Sequence, residues 1–350
     1  MEEPFDLEYP NDYENYTYDN YTSENTTLDH VVFHHHRSCR NDLSCIIVTI
    51  VNTIICLLGI FGNGVVIWIA GLKMVKTVNT TWYLSLAISD FLFCLFLPIN
   101  TAYMATQNWI FGLSMCKIAS FVMFLNMFSS IFLLVFISID RCVSVVFPVW
   151  SQNQRTVRKA FIMVTLAWIV SIALSSPSAV FRKTKVEGGK TKCYNNYELS
   201  SNHSAVVFSR FVCGFLLPFL IIISCYSVII CKLRSSRMTK SSKPFKVMSA
   251  LIAAFFICWL PYHTFILLEL NHNHHNIEFL KAGLTLGTSF ASANSFLNPI
   301  LYVFMGKDFK HKFKSSLMSK IENAMGEEVR TTSRYFSRSS SMDGRASAHL

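Results

Sequence analysis

The feature that most constrains this chain is a series of seven long stretches with almost no charged side chain. Histidine aside, Asp90 is the single charge within them, and their ranges are 43–72, 77–116, 118–139, 160–181, 211–231, 247–268 and 282–306. A helix needs about 20 apolar residues to cross the ~30 Å hydrocarbon core of a bilayer. Each stretch reaches that length, so the sequence predicts an all-α membrane protein built as a bundle of seven transmembrane helices.

The distribution of charge predicts the orientation of these spans. Residues 1–36 hold nine acidic residues and no Lys or Arg, whereas the segment 232–246, between the fifth and sixth spans, holds six basic residues and no acid. Basic residues concentrate in the loops on the cytoplasmic side of a membrane. We therefore expect a multi-pass protein of the plasma membrane, with its N-terminus outside the cell and its C-terminus in the cytoplasm.

The spans and the regions around them divide the chain into four parts. In chain order we expect an acidic extracellular tail, a seven-helix domain, a short amphipathic helix and a disordered Ser/Thr-rich cytoplasmic tail, at 1–42, 43–306, 307–318 and 319–350. Phe309, Phe313 and Leu317 recur every four residues with lysines between them, so the amphipathic helix would lie on the lipids of the inner membrane surface. Sequons predict glycosylation at Asn15, Asn20, Asn25 and Asn202.

The connection between the fourth and fifth spans departs from the charge rule. Residues 182–205 carry five basic residues on the predicted outer side. Two explanations stay open: a longer loop tolerates such charge, or a positive rim attracts an anionic partner. Cys193 in this connection and Cys116 at the outer end of the third span both lie in an oxidising compartment, so we expect a disulfide between them. Cys39 and Cys45 offer a second pair.

A carboxylate inside a predicted span needs polar partners, because it costs about 2.5–3.5 kcal/mol on insertion scales. Asp90 is that carboxylate. Asn126 with Ser130, and Asn294 with Asn298, are pairs of polar residues four apart and so on one helix face. Together they can form a hydrogen-bonded network between helices, which composition alone favours, or their oxygens can hold a small hard cation.

The fifth span begins with an unexpected charge. In "FSRFVCGFLLPFLIIISC", residues 208–225, Arg210 is followed by no charged residue before Lys232. If the helix begins near Val206, Arg210 lies about one turn below the outer surface. Its guanidinium can extend to the lipid headgroups, or it can face a central cavity and bind a ligand carboxylate. We favour the cavity, because a lipid-facing Arg on the outer side opposes the positive-inside trend.

Seven motifs, one in each span, occur in a fixed order. They are Gly62-Asn63, "LAISD" (86–90), Asp140-Arg141-Cys142, Trp168, Pro218 with Tyr226, "CWLP" (258–261) and "NPILY" (298–302). In this order they resemble the rhodopsin-like G-protein-coupled receptors over about residues 46–318. Each motif alone is weak evidence, but seven in register are specific. The stretches "DRCVSVVFPVWSQNQR" and "CWLPYHTFILLEL" further resemble the chemoattractant group of that family.

The resemblance implies a signalling role for residues near the cytoplasmic end. Arg141 would pair with Asp140 at rest and turn toward a heterotrimeric G protein of the inhibitory class on activation, with Tyr226 and Tyr302 completing the switch. Trp259 would act as a packing trigger below the ligand. Receptor kinases would phosphorylate the C-terminal tail, which would then bind arrestin.

The resemblance also favours the cation interpretation of the polar cluster. Five residues match the family's allosteric sodium pocket: Asp90, Ser130, Asn126, Asn294 and Asn298. No other cofactor is expected. The pair Cys116 and Cys193 matches the family's disulfide.

The ligand implied by the resemblance is an extracellular peptide or small protein. Arg210 would bind its carboxylate, and Glu269, near the outer rim, would meet a ligand amine or a loop lysine. Tyr262 would line the floor of the pocket, while Arg182 and Asn196 would lie across its mouth. Three alternatives stay open: a formyl-peptide-like ligand, a lipid-mediator ligand, and a scavenger that binds the ligand without signalling.

Other classes of protein lack support in the sequence. H-E-x-x-H, G-x-S-x-G and P-loop motifs are missing from it, so we expect no enzyme. The spans carry distinct motifs and no internal repeat, which argues against a transporter. No nucleic-acid partner is expected.

Overall fold

The uncharged stretches fold into long helices. A computed structural model describes residues 6–7, 43–197, 199–235, 243–270 and 276–305. Within these ranges the helices are α1 Leu43–Trp68, α2 Val78–Thr106, α3 Gly112–Val146, α4 Pro148–Gln154, α5 Val157–Ser175, α6 Pro177–Val180, α7 Ser200–Phe211, α8 Leu217–Ser235, α9 Lys243–Glu269 and α10 Ile277–Met305. The strands are β1 Asp6–Leu7, β2 Arg182–Glu187 and β3 Lys190–Asn196. The predicted amphipathic helix 307–318, the tail 319–350 and the sequons at Asn15, Asn20 and Asn25 lie outside the described residues.

Six segments of the described chain are long and apolar enough to cross a membrane. They are Leu43–Lys73, Val78–Thr106, Gly112–Val146, Val157–Val180, Ser201–Arg234 and Met248–Glu269. The seventh predicted span is α10, a helix of 29 residues that packs against α1, α2 and α9. It is less apolar because Asn294, Ser295 and Asn298 are among its buried side chains.

Three of the spans consist of more than one helical segment, and the first is α1 followed by a π-helical turn at Ile69–Lys73. In the fourth span, α5 ends at Ser175 and α6 begins at Pro177, a residue suited to the first turn of a helix. The fifth span consists of α7, a π-helical turn at Val212–Leu216, and α8. Because α7 begins at Ser200, Arg210 lies about three turns into it, not one. For the same reason Asn202 lies in the first turn of a helix, not in a loop.

The helix α3 is the centre of the bundle. It packs against α2, α5, α8 and α9, and Phe124, Met127 and Phe128 are among its fully buried side chains. Trp82 of α2 and Trp259 of α9 join the same core. Lipid is as apolar as these side chains, so close van der Waals packing between the helices holds the bundle together.

The helices α9 and α10 approach each other very closely at Gly287. A Cβ atom at this position would lie 2.8 Å from the backbone nitrogen of Tyr262 and 2.9 Å from its Cα. Any other residue would have to push the two backbones apart. The glycine therefore permits direct backbone contact between these two helices, next to Pro261 within α9.

The connection between the fourth and fifth spans is a β-hairpin and not the expected loop. β2 and β3 pair antiparallel around Gly188 and Gly189, whose φ values of 55° and 77° lie in the left-handed region that suits glycine. β1 pairs with the outer edge of β3. We call the side of the bundle that carries this sheet the hairpin end, and the opposite side the Asp140 end.

A disulfide fixes the hairpin to α3. Cys116 and Cys193 are bonded, as predicted, with their Cα atoms 5.8 Å apart. The backbone N–H of Trp109 adds a hydrogen bond to the carbonyl of Thr191, with N and O 2.7 Å apart. Cys45 is also disulfide-bonded, while Cys39, its expected partner, lies outside the described residues.

Candidate functional site

Arg210 points into the bundle and not toward lipid. Arg210 is only 5% exposed. The guanidinium lies over the ring of Phe124 on α3, 3.6 Å from the ring centre, and its Nη2 donates to the Ser178 hydroxyl of α6 at 2.9 Å. Within the described ranges Arg210 forms no ion pair. It is therefore a buried cation held by a ring face and a neutral hydroxyl.

Aromatic side chains extend from Arg210 toward the middle of α9. Phe124 packs against Tyr262, with ring centres 6.1 Å apart. Tyr262 meets Trp259 edge-on at 5.8 Å, and Trp259 stacks on Phe255 at 6.0 Å. The predicted floor residue Tyr262 and the predicted trigger Trp259 thus lie in one continuous cluster with Arg210.

A separate cavity opens on the hairpin end. It has about 780 Å³ of free space, part of it open solvent, and lies between α1, α2, α3, α10 and the hairpin. Arg182 lines it, whereas Arg210, Tyr262, Glu269 and Asn196 do not. The lining is a mixture of aromatic or aliphatic side chains and neutral polar ones, among them Leu97, Tyr103, Trp109, Met123, Thr288 and Ser292.

The other predicted ligand residues are Arg182, which lines this cavity, and Asn196 and Glu269, which do not. Arg182, at the start of β2, is buried and donates from Nη1 to the carbonyl of Cys193 at 3.2 Å. Asn196 ends β3, and its N–H donates to the carbonyl of Phe181 at 2.7 Å. Glu269 is the last residue of α9 and is buried. Of the five predicted ligand residues, the structure brings Arg210 and Tyr262 together through Phe124.

Asp90 is the centre of a hydrogen-bonded network between α2, α3 and α10. Its Oδ1 accepts from the Asn126 amide at 2.9 Å, and its Oδ2 accepts from the Asn298 amide at 2.7 Å. The Asn126 amide also donates to Ser89 at 3.1 Å, and the Ser295 hydroxyl donates to Asn126 Oδ1 at 3.4 Å. These contacts form a hydrogen-bonded network between the three helices.

Two further oxygens of this region remain unsatisfied. Ser130 Oγ and Asn294 Oδ1 are buried without a hydrogen-bond partner in the described part of the chain. Ser130 lies one turn from Asn126, and Asn294 one turn from Asn298, so both belong to the faces that surround Asp90. A carboxylate with neutral oxygens is a donor set that suits a hard cation, and these residues fit the predicted sodium ion in chemistry.

The Asp140 end carries a cluster of four residues. The Asp140 carboxylate accepts two hydrogen bonds from Arg155, at 2.8 Å from Nε and 3.0 Å from Nη2. Arg141 Nη2 lies 3.0 Å from Asp140 Oδ2. The carbonyl oxygen of the Asn79 side chain accepts from both arginines. The expected pair of Asp140 and Arg141 is present. It is Arg155, however, that donates two hydrogen bonds to the Asp140 carboxylate.

The remaining predicted residues, the trigger Trp259 and the switch residues Tyr226 and Tyr302, lie on α9, α8 and α10. Trp259 is 2% exposed and belongs to the core. Tyr226 is half-buried in α8. Tyr302 lies in α10, and its side chain is outside the described part of the structure.

Several contact residues were not predicted as part of any site. Arg155 is the last residue of the quoted stretch "DRCVSVVFPVWSQNQR", but its place there does not indicate a contact with Asp140. Ser178 and Phe124 have ordinary neighbours in sequence and meet Arg210 only through the packing of three helices. His263 follows Tyr262 and is 1% exposed. Its place inside an uncharged stretch was a usable signal, because titratable side chains in spans are rare.

Comparison with known proteins agrees with the motifs and with this geometry. The family model described as 7 transmembrane receptor (rhodopsin family) matches residues 62–302. Chemerin-like receptor 1 of Homo sapiens is 50% identical over 303 residues, covering 81% of this chain and 81% of that receptor. Chemerin-like receptor 1 of Sus scrofa is 48% identical over 328 residues, covering 87% and 90%. The C3a anaphylatoxin chemotactic receptor of Danio rerio is 42% identical over 279 residues, covering 79% and 77%.

These relatives confirm the predicted likeness to the chemoattractant group, within which the quoted stretches most resemble the chemerin receptor. The matched region contains Asp90, the Asp140 cluster and Arg210. The chain therefore belongs to the rhodopsin family of seven-transmembrane receptors.

Proposed function

We propose that this chain is a plasma-membrane receptor for a peptide or small-protein chemoattractant, most simply chemerin or a protein like it. The names of the similar receptors support this ligand class. The hairpin end would face outward and the Asp140 end the cytoplasm, as the basic residues between the fifth and sixth spans indicate. On ligand binding the receptor would activate a heterotrimeric G protein of the inhibitory class.

The observation that carries the proposal is that Arg210 is buried without a counter-ion among the described residues. A buried charge without a counter-ion is costly, and Arg210 has a ring face and one neutral hydroxyl as its partners in the described chain. A guanidinium presents a planar fork that matches a carboxylate in two hydrogen bonds. The free C-terminal carboxylate of a peptide inserted from the hairpin end would compensate this charge.

A route from this site toward the Asp140 end is supported by packing. Tyr262 contacts the Phe124 ring on which Arg210 rests, and Trp259, one turn earlier on α9, contacts Tyr262. A ligand that draws Arg210 away from Phe124 would change the packing of this cluster. The change would reach the Arg141 and Asp140 pair, from which the G protein would be engaged. Receptor kinases and arrestin would act on the C-terminal tail.

The experiment is peptide-induced G-protein activation in cells that express the receptor. The probe is a synthetic peptide with the C-terminal sequence of chemerin, prepared as the free acid and as the C-terminal amide. Wild type should respond to the acid, and amidation and Arg210→Ala should each weaken the response about tenfold to a hundredfold, the range of a charged hydrogen bond. The two changes together should weaken it no further, because both remove one interaction.

Two control variants separate the role of Arg210 from that of charge alone. Lys185→Ala removes one exposed positive charge from the hairpin and should leave the difference between acid and amide intact. Arg210→Lys keeps the charge without the fork and should give an intermediate response. Silence of wild type at matched surface expression would reject a chemerin-like ligand, and a formyl-peptide or lipid ligand would then be tested. Binding without nucleotide exchange would indicate a scavenger.

We also propose that Asp90 and its neighbours hold a sodium ion that acts allosterically. The unsatisfied oxygens of Ser130 and Asn294 support this, because a cation would supply their missing partner. Asn126 and Asn298 would hold the carboxylate and the ion in place. No step of ligand recognition is assigned to the ion.

The sodium proposal predicts a salt-specific effect on stability. Replacing choline chloride by sodium chloride at constant ionic strength should raise the melting temperature of the purified wild-type receptor. Asp90→Asn removes the charge that binds the cation and should abolish the difference between the two salts. An equal response of Asp90→Asn and wild type to sodium would show that the ion binds elsewhere or not at all.

A further inference from the structure

His263 is a buried polar side chain that the functions described above do not use. It belongs to α9 and is 1% exposed. Neither Nδ1 nor Nε2 has a hydrogen-bond partner in the described part of the chain. Buried polar atoms in native proteins are nearly always hydrogen-bonded, and each exception calls for an explanation.

The neighbours of His263 hold its ring but give it no acceptor. Phe215 lies 5.0 Å away between ring centres, Phe211 5.9 Å and Trp259 6.3 Å. The imidazole is therefore positioned from several sides by rings. A phenylalanine would fill this place without an unsatisfied nitrogen, so packing alone does not account for a histidine here.

Arg210 is the charged neighbour of this ring. It lies one residue before Phe211, which packs edge-on against His263, and its guanidinium rests on Phe124, whose ring packs against Tyr262, the residue before His263. Both side chains can donate hydrogen bonds, and neither has a carboxylate partner among the described residues. The imidazole has no hydrogen-bond partner there and the guanidinium has the Ser178 hydroxyl, so the two side chains offer donors to an acceptor with more than one lone pair.

We propose that His263 and Arg210 together bind one carboxylate, His263 supplying the second donor. The inference rests on the proposed function, because the carboxylate is that of the peptide ligand. The guanidinium fork would take one edge of the carboxylate, and the imidazole N–H would donate to one of its oxygens. The surrounding rings of Phe124, Phe211 and Phe215 would favour a terminal residue with an apolar side chain.

The location of the cavity is consistent with a ligand that reaches this pair. The cavity at the hairpin end is lined by Met123, the chain neighbour of Phe124 on which Arg210 rests. A peptide that fills the cavity would have its terminus beside α3. Displacement of the Ser178 hydroxyl from Arg210 would then free the guanidinium for the carboxylate.

The test uses a probe that does not depend on the identity of the natural ligand. Purified full-length receptor is titrated with N-acetyl-phenylalanine and, separately, with its amide, and binding is read from the rise in melting temperature. Wild type should bind the acid and not the amide. His263→Phe, which keeps the ring and loses the donor, should bind the acid about tenfold more weakly, the size of one lost hydrogen bond. His263→Gln, which keeps a donor, should recover most of the affinity.

Two further variants make the result specific. His203→Phe is the matched control, because His203 is also buried and packs on an aromatic ring, that of Tyr197. It should bind the acid as wild type does. Arg210→Ala should lose binding of the acid, and Arg210→Ala with His263→Phe should be no worse. The melting temperature without probe reports whether each variant is folded.

The outcomes separate the two proposals. If His263→Phe binds the acid like wild type while Arg210→Ala does not, His263 is a packing residue and the inference is wrong, although the Arg210 site stands. If wild type binds acid and amide equally, no carboxylate site exists at this place and the inference is also wrong. The assignment as a peptide receptor is then judged by the G-protein assay alone.

Discussion

At the scale of single residues, the described structure contains cations whose partners lie far away in sequence. Arg210 rests on Phe124 and Ser178, and Arg155 reaches Asp140 and Asn79. A sequence shows that such a cation needs an interacting side chain, but it does not show which helix supplies that side chain. The rare charge in an uncharged stretch is therefore predictable as a site, while its contacts are not.

Arg155 offers the first prediction. It takes Asp140 in a two-pronged contact and so competes with Arg141 for the same carboxylate. In Arg155→Gln, Arg141 would be the closest cation to Asp140. The Asp140 carboxylate would therefore bind Arg141 more firmly. We expect a reduction of about threefold to tenfold in ligand-induced nucleotide exchange, the size of a partly exposed charged contact.

The measurement is nucleotide exchange at equal surface expression. Arg158→Gln is the matched control, because Arg158 lies three residues on and is exposed. It should leave exchange unchanged. A rise in ligand-independent exchange in Arg155→Gln would contradict the expected competition and would show that Arg155 restrains the resting state.

At the scale of elements, the helices follow directly from hydropathy, whereas the hairpin does not. Residues 182–196 carry basic and polar side chains without the alternation of apolar residues that predicts a strand. Their pairing is favoured by Gly188 and Gly189 at the turn and by the bond to α3. The early start of α7 was missed for a similar reason, since its first turn is polar and resembles a loop.

The disulfide gives a second prediction. Cys193→Ser removes the bond that holds the hairpin to α3 across 77 residues of sequence. Closing so long a loop restricts the unfolded chain, so the substitution should lower the free energy of unfolding by about 2–5 kcal/mol. The measurement is the melting temperature of the purified receptor, with Cys213→Ser, a half-buried free thiol, as control. Equal melting temperatures would show that the hairpin is held mainly by its hydrogen bonds.

At the scale of the whole molecule, the seven uncharged stretches predicted a bundle of seven helices, and the motif in each span predicted a receptor. Six spans are recognisable from apolarity, and the seventh carries the polar residues that meet Asp90, which lower its apolarity. The candidate site, too, was predictable from the sequence only in part. Asp90 and the Asp140 pair follow from motifs, but the separation of the cavity from Arg210 depends on how the helices pack.

Orientation is the third prediction. An epitope tag at the N-terminus should be stained by antibody on intact cells, and a tag at the C-terminus only after permeabilisation, because the basic segments favour the cytoplasm. Glycosidase treatment should increase the mobility of the receptor on a gel, and replacing Asn15, Asn20 and Asn25 by Gln should remove most of that shift. Staining of the C-terminal tag on intact cells would reverse the proposed topology.

At the backbone contact between Gly287 and Tyr262, Pro261 removes a hydrogen bond that would stiffen α9, so the helix bends most easily beside this contact. The segment from Tyr262 to Glu269 is about 10 Å long and the segment down to Lys243 about 28 Å, at 1.5 Å per residue. A bend of a given angle at this position would therefore displace the end of α9 at the Asp140 end about three times as far as the end at the hairpin end.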